Sequence, residues 1–151
     1  MQTTEESIGS RHKYLSKKLI EEIELDINQV HRLIAQAENH LRSAKNSLLD
    51  DKEGAYVLLY DAARKGLIAI LYLQGIRPTT YGGHSIILDV LTPQCSKSEL
   101  AVLRPFNRLR KVRNSVEYPK SDSSELGEDS LHEDFMAATK IVAWAKSIIK
   151  Q

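Results

Sequence analysis

Ile27, Val30, Ile34, Ala37, Leu41, Ala44 and Leu48 recur at alternating steps of three and four residues, and an α-helix puts such a series on one face. Leu33 and Ala35 broaden the stripe, while Arg32, Gln36, Glu38, Asn39, Arg42 and Lys45 cover the opposite side. Asp26 or Asn28 can cap the start, because a short side-chain oxygen accepts from the free amides of the first turn. From about Glu53 to Gln74 the apolar residues are so dense that most of the circumference must be covered, which predicts a central helix. Gly75 then supplies a left-handed stop, and Pro78 cannot continue the helix.

Shorter patterns flank these two. His12 to Ile23 carries Leu15, Leu19, Ile20 and Ile23, and the first ten residues look frayed. Tyr81-Gly82-Gly83 reads as a turn before a short helix with Ile86, Ile87, Val90 and Leu91, and Ser96 to Leu103 as a further turn or two. Pro105 suits the first turn of the next helix, whose buried stripe is Phe106, Leu109, Val112 and Val116 and whose stop is Pro119. Ser130 and Glu133 have capping-box spacing ahead of a last helix with Phe135, Met136, Ala138, Ile141, Val142, Ala145, Ile148 and Ile149 inward. No strand-like alternation interrupts this. The expected fold is an all-α, four- to five-helix up-and-down bundle, a single domain over 11–151 with an acidic loop at 119–129.

Composition narrows the function classes. With 21 Lys+Arg against 20 Asp+Glu, the net charge of +1 excludes a polycation that coats nucleic acid along its length. The longest apolar run, Leu67 to Leu73, is far short of the ~20 residues of a membrane span, so no membrane partner is expected. Cys95 is alone, and no Cys/His cluster has zinc spacing, so neither a metal nor another cofactor is expected. A polar, acidic start without a secretory pattern points to the cytoplasm.

The small net charge hides a local asymmetry. Between Lys97 and Lys120 stand seven basic residues, Arg104, Arg108, Arg110, Lys111 and Arg113 among them, against two acids. From Ser121 to Asp134 there are six acids and no Lys or Arg. The loop can neutralise the helix within the monomer, or the basic face can meet phosphates while the loop tunes access.

At ~100° per residue, Arg108 and Lys111 point away from the Phe106/Leu109/Val112/Val116 stripe, but Arg113 falls at its edge. A guanidinium set against a core needs a fixed partner, which Glu117 can supply one turn later. Alternatively, Arg113, Asn114 and Tyr118 line a cleft at the helix end where a polar cluster could hold an anion. Tyr60 and Arg64, one turn apart on the central helix, suit internal packing or a dimer seam.

Three pieces in order carry a family resemblance: residues 60–67 (YDAARKGL), Gly75-Ile76-Arg77-Pro78 followed by Gly83-His84, and residues 106–110 (FNRLR) leading into Arg113-Asn114. Over roughly Ile27 to Ile149 the chain resembles the HEPN superfamily (higher eukaryotes and prokaryotes nucleotide-binding). The resemblance implies a small helical bundle with an Arg-centred motif on a late helix, two copies of which face each other across a homodimer. It also implies RNA or a nucleotide as ligand, or a protein partner such as a small nucleotidyltransferase antitoxin, in toxin–antitoxin or phage-defence systems. Many members are metal-independent ribonucleases. Arg113 matches the motif's Arg and Asn114 its polar residue, but Tyr118 stands where the catalytic form has His. An imidazole trades protons near neutrality far more readily than a phenol, so this departure favours binding over cleavage. His84 follows Gly83 at a helix start, where the family often has a histidine; it reads as a site residue or as a side chain that caps the turn. The expected site is thus Arg113, Asn114 and Tyr118, with Arg64, His84, Arg104, Arg108, Arg110 and Lys111 around it. His12, His31, His40 and His132 fall on polar helix faces without a pattern.

Overall fold

Helix propensity and burial agree along most of the chain. The computed structural model describes residues 1–122 and 126–150. In order these form α1 (Glu5–Ser16), β1 (Ile20–Glu22), α2 (Ile27–Ser47), α3 (Lys52–Leu73), β2 (Ile76–Pro78), α4 (Ile86–Leu91), α5 (Lys97–Leu103), α6 (Pro105–Glu117) and α7 (Glu128–Lys150). Helix α3 is the axis of the bundle and packs against α2, α7 and α6. Its dense apolar sequence is the reason: Tyr56, Leu59, Tyr60, Ala63, Leu67, Ile70 and Leu71 are all buried. Asp26 caps α2 by accepting from the amides of Asn28 and Gln29, and Pro105 opens α6, both as expected. The fold is an all-α helical bundle, as the periodicity predicts.

Four expectations need correction. The first ten residues do not fray. Thr4 and Ser7 form a reciprocal capping box that starts α1, and the Met1 ammonium lies 3.0 Å from Glu99. The helix expected over His12 to Ile23 ends instead at Ser16. The amide of Lys18 donates to Leu15 O and that of Leu19 to Tyr14 O, with Lys18 left-handed at φ 60°. The residues beyond it form a strand, β1, antiparallel to β2 with Ile20 opposite Pro78 and Glu22 opposite Ile76. Strands of three residues are too short to show alternation, so the ribbon left no periodic signal. Finally, α7 begins at Glu128, before Ser130, so the Ser130/Glu133 spacing lies inside the helix and is not the cap. The acidic loop at 119–129 falls partly on residues 123–125, outside the described residues.

Two glycines shape the connection between α3 and α4. Gly75 takes φ 75° immediately after α3 and turns the chain into β2. At Gly82 a Cβ would collide with the carbonyl oxygen of Leu19, so only glycine lets the following turn lie against the α1–β1 corner. That turn delivers His84.

Candidate functional site

Two helices and one turn converge on Tyr60. Helix α3 contributes Tyr60, Asp61, Arg64 and Lys65 within about one turn, and α6 contributes Arg110, Arg113, Asn114 and Glu117. The 60/64 and 110/113 spacings put each set on one helix face. Tyr60 is fully buried and stacks on Phe106, with ring centroids 5.4 Å apart and planes 14° from parallel. The Arg113 guanidinium covers the same ring, its Cζ 5.5 Å from the centroid. On the hydroxyl side, His84 Nδ1 is 2.6 Å from Tyr60 Oη.

The arginines are held by short-range partners on their own helices. Arg113 Nη2 pairs with Glu117 Oε2 at 3.1 Å, and Nη1 donates to Asn114 Oδ1 at 3.3 Å. Arg110 Nη2 donates to Asn107 Oδ1 at 2.9 Å. Arg64 donates to Asp61 Oδ1 through Nε at 3.0 Å and Nη2 at 2.6 Å. Yet the Nε–H groups of both Arg110 and Arg113 are buried without an acceptor. Native structures rarely leave such donors unmade, because each forfeits its hydration with nothing in return.

The electrostatics follow from burial and from this cationic crowd. Burial pushes the Tyr60 phenol up to about 12 despite the opposing pull of Arg64, Arg113 and Arg110, so it keeps its proton at neutrality. Burial, then Arg64 and Arg113, hold His84 below the ordinary imidazole range; Asp61 opposes them, and Arg110 adds to them. Burial alone would raise Asp61, but the Arg64 hydrogen bond and charge and then Lys65 hold it below the usual carboxylate range.

The structure thus gathers part of the expected set. Arg113, Asn114, Arg110, Arg64 and His84 share one locus, and the Arg113–Glu117 ion pair forms as its spacing predicts. His84 is no helix cap: α4 has no side-chain cap, and the ring turns inward to Tyr60. Tyr118 is 74% exposed, and it has no hydrogen bond or ring contact with Arg113 among the described residues. Arg104 and Lys111 are exposed on the outer face. Arg108 instead reaches the buried carboxylate of Asp134, at 3.4 Å. That contact pairs one basic residue of α6 with the last acid of the 121–134 segment.

Sequence reading missed Tyr60 as the hub and His40 as a neighbour. His40 Nε2 lies 2.7 Å from Lys65 Nζ and 3.4 Å from Asp61 Oδ2, on the α2 side of the same α3 turn. The Tyr60/Arg64 spacing was the available signal for the first; nothing in the α2 pattern marked the second. A groove of about 800 Å³ opens elsewhere, on the ribbon between Leu15, Ile20, Glu22 and Thr79, and includes none of the Arg113 cluster. Among the described residues no group of three or more His, Cys, Asp or Glu could hold a metal ion, and no helix is long and apolar enough to cross a membrane.

A helical bundle whose central helix and late helix frame an arginine-centred polar site is the class of protein defined here. The HEPN domain profile matches residues 30–149, and the chain belongs to the HEPN family. No curated protein and no solved structure matches it.

Proposed function

We infer that the chain is a HEPN homodimer that binds RNA or a nucleotide at the Arg113 cleft, in a toxin–antitoxin or phage-defence setting. The observation that carries the ligand reading is the gathering of Arg64, Arg110 and Arg113 around one buried tyrosine, with the Arg113 guanidinium over its ring. A guanidinium has five N–H donors in a rigid fork that matches phosphate, and two such forks with Arg64 beside them suit a phosphate group. Net positive surroundings of His84 and Tyr60 point the same way. HEPN domains often dimerise, which supports a site built from two copies of Arg113. A protein partner at the same cleft, such as a small nucleotidyltransferase antitoxin, is the other occupant the family suggests.

One observation favours a second reading, a metal-independent ribonuclease toxin. The imidazole absent from position 118 is present at position 84, on the tyrosine that Arg113 covers. Incubation with mixed RNA in EDTA separates the two. Intact RNA with measurable binding, weakened at least about tenfold by Arg113→Ala, is the expected result. Degradation that Arg113→Ala abolishes contradicts pure binding. An Arg113→Ala chain that binds normally but melts earlier would mark the cluster as structural and the chain as a non-catalytic interaction scaffold.

A further inference from the structure

The hydroxyl of Tyr60 has one hydrogen-bond partner among the described residues, His84 Nδ1 at 2.6 Å. Tyr60 is 1% exposed, so water does not offer an alternative. A buried phenol that keeps its proton must donate it, and Nδ1 is the acceptor in reach. An imidazole that accepts at Nδ1 carries its own proton at Nε2 when neutral. His84 Nε2 has no protein partner among the described residues, and the ring is only partly covered.

We propose that Tyr60 locks His84 as a neutral Nε2–H donor, which makes His84 the uncharged member of the anion site formed with Arg64, Arg110 and Arg113. The proposal rests on the phosphate-binding reading above and deepens it. The charged groups around His84 favour the neutral ring on balance. From α3 come Tyr60, Asp61 and Arg64, and from α6 come Arg110 and Arg113. Three cations against one carboxylate disfavour an imidazolium. Protonating Nδ1 would also reverse the bond to Tyr60 and leave the buried O–H without an acceptor. In this state Nε2 already holds its proton, so it cannot take one from a ribose hydroxyl. The same lock that makes His84 a ligand keeps it from acting as a general base. Tyr60 is then a positioning residue, acting on the ligand only through the ring it orients.

The tautomer is read directly from long-range nitrogen–proton correlations of the imidazoles in ¹⁵N-labelled protein near neutral pH. Wild type is expected to show His84 protonated at Nε2 and bare at Nδ1; protonation at Nδ1 overturns the proposal. Binding of a short fluorescein-labelled mixed-sequence oligoribonucleotide supplies the second arm. Wild-type affinity is expected to change less than about twofold between about pH 6 and 8 at fixed salt. Tyr60→Phe keeps the ring stack and removes the lock, so the same correlations are expected to show His84 divided between the Nδ1–H and Nε2–H forms; a tautomer unchanged from wild type overturns the lock. His84→Ala is expected to bind about tenfold more weakly at both ends of that range. If wild type binds and His84→Ala binds equally well, the place given to His84 fails while the Arg113 site stands. If wild type does not bind at either pH, the anion site itself fails. Should Tyr60→Phe not fold, the wild-type tautomer and the His84→Ala affinity still decide.

Discussion

Tyr56 and Tyr60 are one turn apart on α3, equally buried, and each meets an arginine from α6, yet their surroundings differ. Tyr56 donates to Asp134 at 2.8 Å, and the same carboxylate oxygen receives Arg108 at 3.4 Å. Asp134 is 5% exposed, and its one carboxylate serves both donors. The buried end of that network is closed: phenol and carboxylate satisfy one another, and Arg108 adds a longer contact from the solvent side, which ties α6 to α7. At Tyr60 the acceptor is an imidazole with a second nitrogen to spare, and the arginines keep unpaired Nε–H groups. A closed network spends its polar capacity on holding helices together; an open one keeps some for a visitor. On the proposed function, the contrast separates scaffold from site within one helix turn.

The largest expected effect breaks the closed end. Asp134→Ala strips the acceptor from a buried phenol and leaves Arg108 without its partner, which should cost about 2–4 kcal/mol. The check is urea denaturation, with oligoribonucleotide binding retained below the transition. A loss under about 1 kcal/mol would mean that the Tyr56 network does not bear on the fold.

Arg113→Ala comes next and should show the opposite profile. Binding falls at least about tenfold, while stability drops by about 1 kcal/mol, the worth of a partly exposed ion pair and a ring contact. If stability collapses instead, the open network is structural after all.

Acid sharpens the comparison further. Because His84 is held below its unfolded pKa, the unfolded chain takes up a proton there before the native state does. Stability from this residue is complete above the ordinary imidazole pKa and erodes as pH falls from there toward the lowered native value. His40 is displaced the same way, by burial, then Lys65 against Asp61, then Arg64, and adds to the slope. Denaturation curves between about pH 7 and 5 should therefore flatten in His84→Asn and flatten more in the His40→Asn, His84→Asn double variant. A slope unchanged in both would contradict the neutral-imidazole description.

The smallest effect is a control at the end of α1. Lys18 ends α1 in a left-handed conformation that suits glycine better. Lys18→Gly should gain about 0.5–1 kcal/mol without altering binding, measured by the same denaturation and anisotropy curves.

What could be read in the sequence tracks what is periodic or local. The α2 stripe, the all-round apolar α3, the Gly75 stop, the Pro105 start and the Arg113–Glu117 pair all depend on residues within a turn or two of one another. The β1–β2 ribbon escaped because three-residue strands pair across more than fifty residues without an alternating signature. The site was legible in part. Arg113 and Asn114 were found through their place at the stripe edge and through the family motif. Tyr118 came in through the same motif, at the place of its histidine, but the C-terminal end of α6 leaves its ring facing solvent. Tyr60 and His84 meet only because Gly75 and Gly82 fold the chain back on α3. No spacing rule reaches across that turn.

The central claim is that a phosphate ligand meets the guanidiniums over Tyr60 and not the outer basic face of α6. The Nε–H resonances of the arginines, followed by NMR as an oligoribonucleotide is added, test it most directly. The account predicts that Arg110 and Arg113 shift first and furthest, with Arg104 little changed. Shifts confined to Arg104 and the Lys111 side of α6, with Arg110 and Arg113 still, would contradict it.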